Sequence, residues 1–505
     1  MFPSSNRRPF SARTNRSGKI VVACLASIAV MSCSDSPSAP GIVGSGEILS
    51  VCHASPSSHQ LIRIYSSDLP AHRAHGDYIA RLIVEKDSKA VGDSIHFTRI
   101  GDAIAAARAL RIKLNETSSA SCQLTIAVGP GVFQGSVAES TDPAFERFPL
   151  VLDVPGITLV GSFKMGIDDG GRATGEAGGG NVTTLVASPG LLTERLGGAQ
   201  NFRGEPIIVV TDAPDGPGGK GSVVEGFVFQ SGNSAVDAVP GGIAVFAMRA
   251  QDLTVRGNRI EEKFTEPITV RAGNARVIGN YLVGRGGSCA MCLSGPGEFE
   301  VTSNRLMGPG GIPGILIFAA SILPVPPMVV QQVLPESSVV IAYVSNNEIR
   351  NHQQKPSGVG LRIGALGVLS SGVVSLARVV AIGNTFVNNT FGVMVEAAFP
   401  VPNTLLKSDI DLTLVENTFI GNCQADLYVA FARNSTGLGL TSTALFQSEA
   451  FLHNSVFNLR LGGNVKWEDV WYANPDGYGN SLIVDDRVFP NGTRVAYDAT
   501  KVCTP

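Results

Sequence analysis

Charge is scarce in this chain. Only 16% of its 505 residues are charged and the formal net charge is -3, so there is neither the basic stripe that tracks a nucleic-acid backbone nor a field drawing it to anionic lipid. Aromatic residues are also few, at 7%, with two tryptophans, Trp467 and Trp471, and 7 histidines. Beyond the N-terminus, long apolar runs are missing. The most apolar stretch, residues 315–334, is interrupted by Pro324, Pro326 and Pro327, which argues against a membrane span. What the chain has is 58 glycines and 44% hydrophobic content. That composition favours an all-β protein of short strands and turns around a large core.

The N-terminus reads as an address. Arg7, Arg8, Arg13, Arg16 and Lys19 precede an apolar stretch over residues 20–31, too short to span a bilayer as a mature helix. It ends in Val30, Met31, Ser32 and Cys33, which resembles the lipobox of bacterial lipoproteins. The resemblance implies a signal peptide over residues 1–32, cleavage after Ser32, acylation of Cys33 and anchoring in a membrane, with Ser34 pointing to the outer membrane. A plain secretory signal with an incidental cysteine is the alternative. Residues 33–46, rich in Ser, Pro and Gly, read as a flexible tether. Export favours oxidised thiols among Cys52, Cys122, Cys289, Cys292, Cys423 and Cys503, with the pairing left open. Cys289 and Cys292 have thioredoxin-like spacing but lack the helix N-terminus that would activate a thiol, so a local disulfide or two buried thiols fits better.

A phrase recurs through the second half: an apolar residue, two variable ones, Asn, one variable, an apolar residue. It centres on Asn258, Asn280, Asn304, Asn347, Asn384 and Asn417, with a further copy at Asn454. Successive steps of 22, 24, 43, 37, 33 and 37 residues suggest a basic coil lengthened by insertions. Asn tolerates the left-handed backbone of a sharp corner, and stacked amides can bond along an axis. The expectation is therefore a parallel β-helix in which these six asparagines form one ladder.

The phrases, above all residues 382–396, resemble the right-handed parallel β-helix repeats of the pectate-lyase-like superfamily. Upstream, Asp102–Ala107 is similar to the N-terminal capping helix of that superfamily, followed by strand-like residues 124–128, a Pro-Gly turn before Phe133, and residues 157–161. The resemblance implies a solenoid over residues 95–465 with a C-terminal cap over 466–505. It implies less about activity. No Gly-His-Gly or Trp-x-Asp-His occurs, Arg111 and Lys113 lie upstream of every candidate carboxylate, and Asp409 and Asp411 read as solvated charges sharing one strand face.

Four of the seven histidines fall within a segment read as a small Cys/His module over residues 47–80: His53, His59, His72 and His75, beside Cys52 and Asp77. The order Cys-His, strand, Ala-His-x-x-His-Gly-Asp resembles a short motif near the ends of exported bacterial proteins. Its residue types can converge on zinc, with Asp77 orienting a ligand. The competing reading is a tiny fold closed by a Cys52 disulfide.

These features favour an exported envelope protein, lipid-anchored and leaning non-catalytic, whose β-helix binds glycan or another envelope component. A divergent polysaccharide lyase or hydrolase and a structural protein docking a protein partner are the alternatives. Four insertions, over residues 320–337, 364–372, 400–408 and 433–448, share one place in the repeat and should emerge from one flank.

Overall fold

In the computed structural model the chain divides into residues 1–45 and a second unit, Gly46–Pro505. The structure describes residues 48–494, except 55–58, 87–94, 117–119, 121, 136–144, 178–179, 188–205, 212–218, 232–241, 262–263, 265, 285–288, 309–312, 321, 326–329, 334–337, 354–357, 369–374, 398–405, 431–455, 462–469, 475–480, 486 and 490–491. Cys33, the signal, the tether, Asn454, Trp467, residues 433–448 and Cys503 lie outside the described residues.

The second unit is a right-handed parallel β-helix. Each coil contributes three strands, one more than the sequence phrases suggest. A 9-stranded parallel sheet runs from Gly131–Gln134 to Thr418–Ile420. The other two stacks are continuous as one 23-stranded sheet because Ile243–Arg256 and Ile268–Ile278 bend through a corner and belong to both. We call them the covered sheet, exemplified by Ile315–Ala320, Val359–Val368 and Phe391–Ala397, and the open sheet, exemplified by Gly297–Thr302, Ser338–Ser345 and Ser375–Ile382. The chain goes from covered to open sheet, turns at Asn, and enters the 9-stranded corner sheet.

Alternation makes the core. On the corner sheet, Ile260, Leu282, Leu306, Ile349 and Phe386 stand in register one above the next, all fully buried. On the open sheet, Val255, Val277, Val301, Val344, Ala381 and Leu414 do the same. A buried aliphatic side chain of this size contributes about 1.5–3 kcal/mol, and no coil can bury its inner face without its neighbours. Coils pack closely enough at the covered-to-open corner that a Cβ on Gly297 would lie 1.8 Å from the Gly273 carbonyl oxygen, in a backbone at φ +158°.

The ends are closed differently. Helix Ile100–Lys113 caps the N-terminal end, burying Ile100, Ala103, Ile104 and Ala107. The buried carboxylate of Glu146 receives the helix's first amides, from Ile100 at 2.7 Å and Gly101 at 3.2 Å. At the other end the direction reverses: Ser481–Val484 pairs antiparallel with Arg487–Phe489, and Val470–Asn474 with Gly492–Arg494. The solenoid is longer than residues 95–465. Its first strand is Arg81–Val84, and Val470–Asn474 and Ser481–Val484 extend both long stacks past residue 465. Short strands of this kind carry no Asn phrase, so the sequence period does not reveal them.

One hairpin, Met165–Ile167 with Ala173–Ala177, leaves its coil and lies along the corner sheet. Arg259 donates to the Gly175 carbonyl at 3.0 Å, the Ala173 amide to Ser303 at 3.2 Å, and Arg305 pairs with Asp168 at 2.6 Å. Arg172 reaches the Asn346 side chain at 3.2 Å. The hairpin thus straps several successive coils together.

Three of the insertions are partly described, and they start from stacked strands of the covered sheet and end on stacked strands of the open sheet, hence from one corner. The first forms an antiparallel pair, Ile322–Val325 with Val330–Val333. The second and third pair with each other, Gly367 opposite Lys407 and Val368 opposite Leu406.

Candidate functional site

The Cys/His segment is built on a hairpin. Strand Ile48–Ala54 pairs antiparallel with His59–Tyr65, and on its other edge with Tyr78–Ile79. The segment is not a separate module, since it shares the compact unit of the solenoid and its Val51 and Cys52 join the common core. Arg111, fully buried, fastens it: its guanidinium donates to the Tyr78 hydroxyl at 3.1 Å and the Gly156 carbonyl at 3.1 Å, and pairs with Glu116. Burial pushes the Tyr78 hydroxyl above its ordinary pKa.

Register brings the chemistry together. Cys52 stands opposite Tyr78, so the next residues along, His53 and Asp77, face each other across the same edge. Helix Leu69–Ala74, with Pro70 in its first turn, carries His72. Gly76, at φ +89°, turns the chain so that the Asp77 amide bonds back to the His72 carbonyl at 3.2 Å. A side chain there would meet nothing within 4 Å, so it is backbone freedom that glycine supplies.

The result is two imidazoles on one carboxylate oxygen. Asp77 Oδ2 lies 2.8 Å from His53 Nδ1 and 2.6 Å from His72 Nδ1. The rings meet edge to face, centroids 5.9 Å apart at 80°. The Asp77 side chain is 0% exposed, whereas His53 and His72 are 37% and 24% exposed. Three of the six residues singled out in sequence therefore converge. The other three do not. Cys52 is bonded to Cys122, which removes the thiolate a metal would need. His59 lies at the turn of the hairpin, opposite Ala54, and His75 follows the helix; both are exposed. Cys289 and Cys292 form a local disulfide, and Cys423 is also oxidised.

The six ladder asparagines are buried in one stack. Asn258 donates through its backbone and side-chain amides to Asn280 Oδ1 at 3.0 and 3.1 Å, and the same pair of bonds links Asn280 to Asn304, Asn304 to Asn347, Asn347 to Asn384 and Asn384 to Asn417. The left-handed backbone belongs to the residue before each: Gly257, Gly279, Ser303, Asn346, Gly383 and Glu416. The asparagines themselves serve as amide donors and acceptors. A second, shorter ladder, unforeseen in the sequence, follows the corner sheet: His352 donates its amide to Asn389 Oδ1 at 3.1 Å, and Asn389 its amide to Asn422 Oδ1 at 3.1 Å. Its signal is the left-handed residue again, at Asn351, Asn388 and Gly421.

The outer faces differ. On the covered sheet the outward column Thr269, Cys292, Leu316, Arg362, Met394 and Tyr428 is buried except at half-buried Leu316. On the open sheet the outward side chains include exposed Tyr343 (48%) and Val339 (40%) among ion pairs: Arg256 with Glu225 and Arg276 with Glu300, both at 2.7 Å, and Arg378 with Asp411 at 3.4 Å. Asp409 accepts the Val456 amide at 3.0 Å. Glu266, buried beside the covered sheet, accepts from Thr269 at 2.8 Å and approaches Arg271 at 3.6 Å, leaving its second oxygen without a partner. Burial lowers the pKa of the Arg271 guanidinium.

No protein-family model matches the chain, and no curated protein matches it in sequence. Among solved structures it is similar to the A-module of a mannuronan C-5 epimerase of Azotobacter vinelandii, at 13% identity and TM-score 0.37, covering 80% of this chain and 94% of that one. It is also similar to an exopolygalacturonase of Thermotoga maritima, at 11% identity and TM-score 0.27, covering 82% and 94% respectively. Likeness this distant carries no argument about activity.

Proposed function

We propose that the protein is an exported envelope lipoprotein, held to the membrane through Cys33, whose open sheet binds a glycan as a non-catalytic surface. The observation that carries the reading is the pairing on that sheet. Glu225, Glu300 and Asp411 are each engaged by an arginine, and Tyr343 stands exposed beside Glu300. An acid or base for glycoside chemistry needs a carboxylate available to a proton in transit. Planar Arg–carboxylate pairs around an amphipathic ring instead suit sugar hydroxyls and an apolar ring face. Binding of soluble polysaccharides by the purified protein should weaken about tenfold or more in Tyr343→Ala. Unchanged affinity in that variant would remove the open sheet from the reading.

A second reading, a divergent polysaccharide lyase or hydrolase, is favoured by Glu266, whose buried, half-satisfied carboxylate lies beside Arg271. New reducing ends or unsaturated-uronate absorbance, lost in Glu266→Gln, would establish it in place of the first.

A further inference from the structure

We propose that His53 Nδ1, His72 Nδ1 and Asp77 Oδ2 form an open three-ligand site for a divalent transition-metal ion of the zinc class. The three atoms converge within 4.8 Å of one another, and they come from three separate elements: a strand, a short helix and the turn leading to a second strand. Nothing in the hairpin alone requires that convergence.

The spacing fits an ion. Neighbouring ligands on a tetrahedral shell of radius roughly 2.0–2.2 Å stand about 3.3–3.6 Å apart. The hydrogen-bonded separations of 2.8 and 2.6 Å therefore need to open by about 0.5–1 Å, a change within reach of rotation of two part-exposed imidazoles. Two imidazole nitrogens with one carboxylate oxygen suit zinc, cobalt, nickel or ferrous iron. Calcium, which takes 6–8 oxygens, is excluded by a set with a single oxygen donor. The carboxylate is fully buried while both rings reach the surface, so the ion would have protein on one side and solvent, or a ligand from solution, on the other. The Cys52–Cys122 disulfide fixes the strand next to His53 without supplying a donor.

The test uses the full mature chain without a histidine tag, freed of metal and titrated with Co2+, whose visible bands report its ligands. One equivalent should bind, be displaced by Zn2+, and be lost in His53→Ala and in His72→Ala, with affinity reduced about 100-fold or more. A His59→Ala/His75→Ala double variant should bind as the parent does. Absence of saturable Co2+ binding to protein that melts normally would overturn the proposal. So would binding that survives His72→Ala, or that is lost in the His59→Ala/His75→Ala variant. His72 lies on a part-exposed helix, so its replacement tests ligation with little risk to folding. Tyr343→Ala should leave Co2+ binding intact, which separates failure of the glycan reading from failure of this one.

Discussion

A single asparagine in this solenoid answers for four groups. Asn384 accepts two N–H bonds from Asn347, and its own side-chain amide serves both the Val344 carbonyl and Asn417. Asn384→Leu leaves these buried groups unmatched and should cost about 1–3 kcal/mol, read as a lower denaturation midpoint. The repeating phrase made the ladder's members legible, because a buried amide at a fixed offset from two apolar residues has few other uses. The left-handed residue before each was less legible, since Ser303 and Glu416 hold it as well as glycine does. Glu146 gives a test through pH. Burial raises its carboxyl above the ordinary 4.5, against the pull of the Ile100 and Gly101 amides. With the folded value above the unfolded one, its contribution is full below 4.5 and is lost as pH rises through the folded value. Glu146→Gln should flatten that decline in melts compared between about pH 4 and about pH 8.

Elements are joined here by bonds that no local pattern announces. The Cys52–Cys122 bond closes a loop with a sequence separation of 70, and Cys52→Ala/Cys122→Ala should destabilise the N-terminal end by about 2–5 kcal/mol, measured by hydrogen exchange in helix Ile100–Lys113. The histidine cluster was half legible for a related reason. The spacing of His72, Gly76 and Asp77 marks a helix ending in a tight return, but which histidine meets the carboxylate depends on a strand edge paired with residue 78. The strap hairpin was not legible at all, because its partners lie 84 to 211 residues away in sequence. Arg305→Ala removes the partner of Asp168. Exchange of the Ala173 amide should then quicken while that of Asn304, held in the ladder, stays slow.

For the whole molecule, the period was the informative signal and composition only the frame. Short strands and glycines pointed to β structure, and recurrent Asn to a stack. The strands at Arg81–Val84 and beyond Val456–Leu461 carry neither mark and had to be seen paired. Anchoring is the prediction at this scale: Cys33→Ser should move the protein from the membrane fraction to the soluble one, and retention in the membrane would remove the lipid reading.

The strap also changes how such a rod bears load. A stack of coils that touch only their neighbours peels from a pulled end one turn at a time, each rupture small and independent of the next. The strap runs from a coil near the N-terminal end to Arg259, Ser303, Arg305 and Asn346. Tension applied at the N-terminal end would meet these bonds together, and the first extension event should be one large cooperative rip in place of a run of short ones.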